Sequence, residues 1–197
     1  YSADGKPVRT SSGINLSVHG DYSQAGNPAI CFFPGIDHAY GSEVLAKVQE
    51  LRGSVGTLMK QHHARGATLA SVCSGSFLLA DAGLLDHREA TTSWWLAHHF
   101  NAAYPDVNLQ LEKIVTEDNN ILCSGAVTAY LHLCISLIEK FAGTAMAQAC
   151  AKTILLHNKS PSQAPYIPVS HHFRQKDEMV QHAVAWMQEN LAEEFQL

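Results

Sequence analysis

The chain has 197 residues, 46% hydrophobic and 16% charged, enough apolar content for one core that buries about 70% of the unfolded surface. Its 13 basic and 18 acidic residues give a net charge of -5, which repels phosphate and excludes the dense basic face of a nucleic-acid binder. No apolar run approaches the roughly 20 residues of a membrane span, the opening YSADGKPVRT lacks a signal core, and five cysteines without a C-x-x-C pair argue against a disulfide framework or zinc cluster and for reduced thiols in a cytoplasm.

Three short runs rich in β-formers, AICFF (29–33), ATLASV (67–72) and ILC (121–123), each precede a glycine-containing turn and a segment with helical spacing. That alternation predicts a mostly parallel sheet with crossover helices. The first crossover reads as helix over 42–51, with Ser42 as N-cap, continuing through 54–66 to Gly66. LQLEKIVTEDNNILC alternates with period two on both sides of Asp118, Asn119 and Asn120. It predicts a β-hairpin, because Asn and Asp tolerate the positive φ of a tight turn.

After Gly125, AVTAYLHLCISLIEKFAG is apolar on nearly every face and predicts a buried helix closed by Gly143; TAMAQACAKTILLH (144–157) predicts another. Residues 158–176 hold three of the seven prolines and no periodicity, the marks of a linker. Beyond them, Met179, Val180, Ala183, Trp186, Met187 and Leu191 form one stripe of an amphipathic helix, with Asp177 near its start. An apolar stripe behind a linker predicts the first element of a further domain.

Cys73 stands between the second strand and its helix, at the carboxyl edge where open α/β sheets bind ligands. A sharp strand-to-helix turn lifts its side chain out of the sheet, Gly75 permits close approach of helix and strand, and the N–H groups around Ser74 to Phe77 carry partial positive charge. Cys31, Cys134 and Cys150 read as ordinary core thiols. Among 12 histidines, the pairs His62-His63, His98-His99 and His171-His172 read as helix-surface or linker residues, without the Cys or carboxylate neighbours of a metal site. His38 follows the first strand and is the candidate base facing the same crevice, and His132 lies inside an apolar helix.

PVRTSSGINL, FFPGID, ASVCSGSFLLADAGLLDHREATTSWW, ILCSGAVTAYLHLCISLIEKFAG and AVAWMQENL, in this order, closely resemble the ThiJ/PfpI-like sensory domain of GlxA-type AraC-family transcription regulators. The resemblance spans almost the whole chain. It implies a class I glutamine-amidotransferase-like, flavodoxin-like three-layer α/β sandwich with a hairpin and a C-terminal helix, which dimerises and precedes a double helix-turn-helix domain. The implied organisation is a ligand-sensing domain over 1–157, whose first strand and helix have no counterpart here, a linker over 158–176, and over 177–197 the first helix of the DNA-binding part. DNA contact would come only through that C-terminal domain, whose recognition helices are absent from this chain.

Hydrolytic members of the superfamily usually place His directly after the nucleophilic Cys, where this chain has Ser74. Regulator relatives commonly read Thr-Thr-His-Trp where this chain has Thr91, Thr92, Ser93 and Trp94, and many carry Asp in the helix where His132 stands. Without a neighbouring base, Cys73 lacks the ~10²-fold or greater help that general-base catalysis supplies. The expectation is therefore a non-catalytic crevice formed by Gly35, Ile36, Asp37, Cys73, Ser74, Ser93 and Trp94, holding a small polar effector of amino-acid or amine origin, with no metal and no cofactor. A cysteine-dependent ThiJ/PfpI-type hydrolase or amidase using Cys73 as nucleophile, with His38 or an unseen base, is the alternative; a purely structural dimerisation domain is the third reading.

Overall fold

The computed structural model describes residues 1–156 and 162–167, and beyond them Met179, His182, Trp186, Met187 and Asn190; the side chain of Ser54 is also left aside. Contacts divide the chain into two units, Tyr1–Gln163 and Ala164–Leu197. In chain order the first unit contains β1 (Val8–Arg9), β2 (Asn15–Leu16), β3 (Ile30–Phe33), α1 (Gly41–Ala64), β4 (Thr68–Val72), α2 (Ser76–Asp81) and β5 (Glu89–Ala90). It continues with α3 (Ala97–Ala103), β6 (Asn108–Leu109), β7 (Val115–Asp118), β8 (Ile121–Ser124), α4 (Ala129–Ala142) and α5 (Thr144–Thr153).

The main sheet runs β3-β4-β8-β7, with β3, β4 and β8 parallel and β7 antiparallel to β8. Two short pairs lie apart from it, β1 with β2 antiparallel and β5 with β6 parallel. β4 is buried along its whole length, as a strand covered on both faces must be. Leu69, Ile121 and Cys123 face α1, α2 and α3, where Val44, Val48, Met59, Phe77 and Phe100 complete the larger core. Ala70, Val72 and Leu122 face the other way, against Leu133 and Leu137 of α4. Helices on both faces of one mostly parallel sheet make the three-layer α/β architecture expected of the alternating pattern. Phe77, Phe100 and Tyr104 meet edge to face at 4.9–6.0 Å between centroids, packing worth about 0.5–1.5 kcal/mol per pair beyond burial.

The hairpin turns on Asn119 and Asn120, at φ 47° and 63°, the left-handed pair of a type I′ turn. Its first strand is shorter than the alternation implied, because Leu109 pairs with β5 instead. Several boundaries moved. Helix α1 starts at Gly41 behind Tyr40, so Ser42 lies inside it and caps nothing; Glu43 accepts from the Ala39 N–H at 2.9 Å instead. Both halves predicted for this crossover form one continuous helix. Helix α5 ends at Thr153, four residues early, and Leu155 takes a positive φ of 57°.

Helix α4 is not buried all round: it buries Leu133, Ile135 and Leu137 but leaves Tyr130 and Phe141 exposed. β3 is an edge strand whose Ile30 and Phe32 are also exposed. His62, read from the sequence as a surface residue, is 4% exposed, with both ring nitrogens buried and without hydrogen-bond partners. Helical periodicity turned it inward, where it lines one cavity with Tyr22 and Ser23. His63 does reach outward, bonding the Asn119 carbonyl at 2.8 Å.

Within the segment read as linker, Ser162 and Gln163 belong to the first unit and both donate to the Glu112 carbonyl. Residues 158–161 and 168–176, including His171 and His172, lie outside the described residues, as do Asp177, Val180, Ala183 and Leu191. In the second unit, Ala164–Tyr166 form a 3-10 turn, and Met179, His182, Trp186 and Met187 are helical, with Met179, Trp186 and Met187 exposed.

Candidate functional site

The chain leaves β4 at Val72 and turns at once through Cys73, Ser74 and Gly75, a single 3-10 turn, into α2. Cys73 takes φ 56°, the left-handed conformation that costs an L-residue roughly 1–2 kcal/mol. Its thiol is half-buried. Gly75 makes the bend possible: a Cβ there would stand 2.7 Å from the Phe33 carbonyl oxygen and 2.8 Å from that of Pro34. Only glycine lets the start of α2 pass so close to the end of β3.

The bend is held from four sides. The Ser93 hydroxyl donates to the Cys73 sulfur at 2.7 Å. The Cys73 carbonyl accepts from Ser76 Oγ and from Thr92 Oγ1, both at 3.0 Å. Ser74, fully buried, receives the Ile36 N–H at 2.7 Å and donates to the Ile36 carbonyl at 3.0 Å. A single hydroxyl thus ties the loop after β3 to the elbow through both backbone groups of one residue. Gly35 lies against the same corner, its Cβ position 3.6 Å from Cys73 Cβ and from Ser74 Oγ.

Gly35, Ile36, Cys73, Ser74 and Ser93 therefore come together at the carboxyl edge of the sheet. Asp37 is exposed, and its backbone carbonyl accepts from Lys47 Nζ. Trp94 is half-buried and meets Trp95 edge to face at 5.2 Å. His38 bonds the Ile36 carbonyl through Nδ1 at 2.7 Å; since a carbonyl only accepts, the proton is on Nδ1. Thr92 and Ser76, not singled out from the sequence, complete the elbow; the hydroxyl run Thr91, Thr92, Ser93 was the visible signal for Thr92.

A cavity of about 550 Å³ opens beside this corner, lined by Phe33, Pro34, Gly35, Ile36, Leu51 and Val55 among others. It shares Gly35 and Ile36 with the elbow and is otherwise mainly apolar; Cys73 is not in its lining. All five cysteines are free. Burial pushes the Cys123 thiol up to about 11 and raises that of Cys31, while burial in α4 lowers the His132 pKa. Among the described residues, no three His, Cys, Asp or Glu side chains converge as metal ligands, and no helix is long and apolar enough to cross a membrane.

A mostly parallel three-layer sheet with a left-handed cysteine at a strand-to-helix elbow defines a flavodoxin-like cysteine-elbow domain. The chain belongs to the DJ-1/PfpI family, whose model matches residues 2–140. It is similar to the HTH-type transcriptional regulator CdhR of Pseudomonas aeruginosa, 28% identical over 165 residues that cover 82% of this chain and 46% of the regulator. It is also similar to isonitrile hydratase of Pseudomonas putida, 32% identical over 95 residues, 46% of this chain and 38% of that protein. A ThiJ/PfpI family protein from Pseudomonas syringae shares the fold, with a TM-score of 0.65 at 19% identity over 95% of this chain and 72% of that one. Relatives among HTH-type regulators bear out the resemblance read from the motifs, and the chain spans about half the length of the regulators it matches.

Proposed function

We propose that this chain is the effector-sensing and dimerising part of an AraC-type transcription regulator in the cytoplasm, and that it performs no catalysis. The observation that carries this reading is the sulfur's partner. A Ser93 hydroxyl donates to Cys73 Sγ, and an alcohol is no base at neutral pH. The His38 ring bonds the Ile36 carbonyl through Nδ1, so the side chain bonded to the sulfur is the Ser93 hydroxyl and not this imidazole. With a hydroxyl in the place of a base on the sulfur, nucleophilic attack by the thiol lacks its usual partner.

The effector is a small polar molecule of amino-acid or amine origin. The corner formed by Gly35, Ile36, Cys73 and Ser93, opening beside the cavity at Gly35 and Ile36, suits a ligand that presents both polar and aliphatic groups. Association of two copies through α4 and α5 would cover the exposed Tyr130, Phe141 and Met146. DNA contact belongs to a separate C-terminal helix-turn-helix domain, in keeping with the regulators' names.

A thermal-shift panel of amino acids, amines and betaines tests this. A true effector at 100 times its dissociation constant stabilises by about 2.7 kcal/mol, and Cys73→Trp, which fills the corner, abolishes the shift. A panel that moves nothing removes the sensor reading. The strained elbow and the similarity to isonitrile hydratase support a second reading, a cysteine hydrolase or amidase. Turnover of an amide or isonitrile, lost in Cys73→Ala, would establish it instead.

A further inference from the structure

Parallel pairing sets Val72 opposite Ser124, so β4 and β8 deliver Cys73 and Gly125 to the same edge of the sheet. Gln163, the last residue of the first unit, returns to that edge and is 4% exposed. Its side-chain amide points into a nest of acceptors: Leu111 O at 2.6 Å, Thr91 Oγ1 at 3.1 Å, Thr92 O at 3.2 Å and Lys113 O at 3.3 Å. The amide oxygen accepts from the Ala126 N–H at 3.4 Å. Glycine at 125 leaves the notch, since a Cβ there would fall 2.5–2.8 Å from the Gln163 amide.

The strip Thr91–Ser93 is therefore gripped twice. On one side, Thr92 Oγ1 and Ser93 Oγ hold the carbonyl and sulfur of Cys73. On the other, Gln163 Nε2 holds Thr91 Oγ1 and the Thr92 carbonyl. Thr91, Thr92, Ser93 and Gln163 are all buried, where a lost partner leaves a polar group unsatisfied at about 1–3 kcal/mol. Buried strips of this kind shift between discrete arrangements and do not deform smoothly.

We infer that Gln163 is a positioning residue that couples the Cys73 elbow to the connector leading into the second unit. Whatever displaces Ser93 from the sulfur loosens the grip of Thr91 and Thr92 on Gln163, and releasing Gln163 loosens the elbow. This rests on the reading of the elbow as the effector site and supplies the route by which occupancy leaves it. The chain beyond residue 163 is thereby made responsive without any direct contact to the ligand.

The test needs no effector, so its failure is separate from failure of the thermal-shift panel. In the 197-residue chain, Gln163→Met keeps the length and removes the amide; iodoacetamide then labels Cys73 about fivefold faster, with Cys134 and Cys150 as internal references. In the reverse direction, Ser93→Ala accelerates hydrogen exchange at the Gln163 backbone N–H, which bonds the Glu112 carbonyl, by a similar factor, while amides of α1 keep their rates. Coupling is reciprocal. If either change is missing, or if exchange rises equally in α1, the inference is overturned; should Gln163→Met fail to fold, Gln163→Glu, which sets a carboxylate against three carbonyls, takes its place.

Discussion

Ser93 Oγ donates to Cys73 Sγ across 2.7 Å, joining positions twenty residues apart at the rim of the sheet. Ser93 is fully buried and Thr92 beside it is too, so both hydroxyls reach the elbow without competition from water. Removing them should be felt in stability. Ser93→Ala is expected to cost about 0.5–1.5 kcal/mol, and Thr92→Val about as much, because the Cys73 carbonyl keeps its bond from Ser76. Urea denaturation of the two variants checks this; a double variant that costs clearly less than the sum would show that the pair acts as one support.

Gly75→Ala tests the close passage of α2 under the end of β3. The added methyl meets two backbone oxygens at 2.7 and 2.8 Å, and neither is the free end of a flexible side chain. Either strand or helix must shift. The expected loss is about 1–3 kcal/mol, the usual range for overpacking, read as a lower denaturant midpoint with an unchanged slope.

Backbone strain at position 73 separates glycine from alanine. Both substitutions remove the sulfur and its bond to Ser93, yet only glycine accepts φ 56° without penalty. Cys73→Gly should therefore be more stable than Cys73→Ala by about 1 kcal/mol. Equal midpoints for the two variants would mean that the elbow relaxes once the thiol is gone.

Alkaline stability should depend on Cys123. Burial is the main cause that lifts its thiol from 9.0 to about 11. Between those two values the unfolded chain has lost the proton that the folded chain retains, so stability falls as pH rises. The contribution is fully present below pH 9 and is lost progressively above it, a loss of about 2–3 kcal/mol by pH 11. Cys123→Ala should flatten the stability profile over that window, with the residual slope arising from Cys31, whose thiol burial also raises, and from Tyr104, whose hydroxyl burial pushes up to about 12. In the acid direction, His132 is held below its ordinary pKa by burial. Stability tied to His132 falls as pH drops below the unfolded value, a loss that His132→Gln removes.

Strand and helix order, the hairpin at Asn119 and Asn120, and the elbow at Cys73 with its enabling Gly75 were legible because each rests on local chemistry. Apolar period, turn residues with positive φ and a glycine at a close approach all act within a few positions of the chain. Ser93 was named from the sequence at the place where regulator relatives commonly carry His, but its bond to the Cys73 sulfur was not legible there. Helix limits were harder. Ser42 looked like a cap, but Tyr40 took that position and the helix absorbed Ser42, since capping is decided by where the chain arrives from β3.

By itself the sequence determined which residues alternate, which turn and which thiol stands at a bend, because those preferences are paid out locally in backbone conformation and side-chain period. Tertiary structure alone decided that His62 is buried with no hydrogen-bond partner for its ring, and that Ser74 binds both backbone groups of Ile36, 38 residues away. It alone decided too that Gln163, inside a proline-rich stretch without periodicity, closes on the strip that holds Cys73. Contacts between distant segments depend on how helices and strands pack in three dimensions, and no short window of sequence encodes that packing.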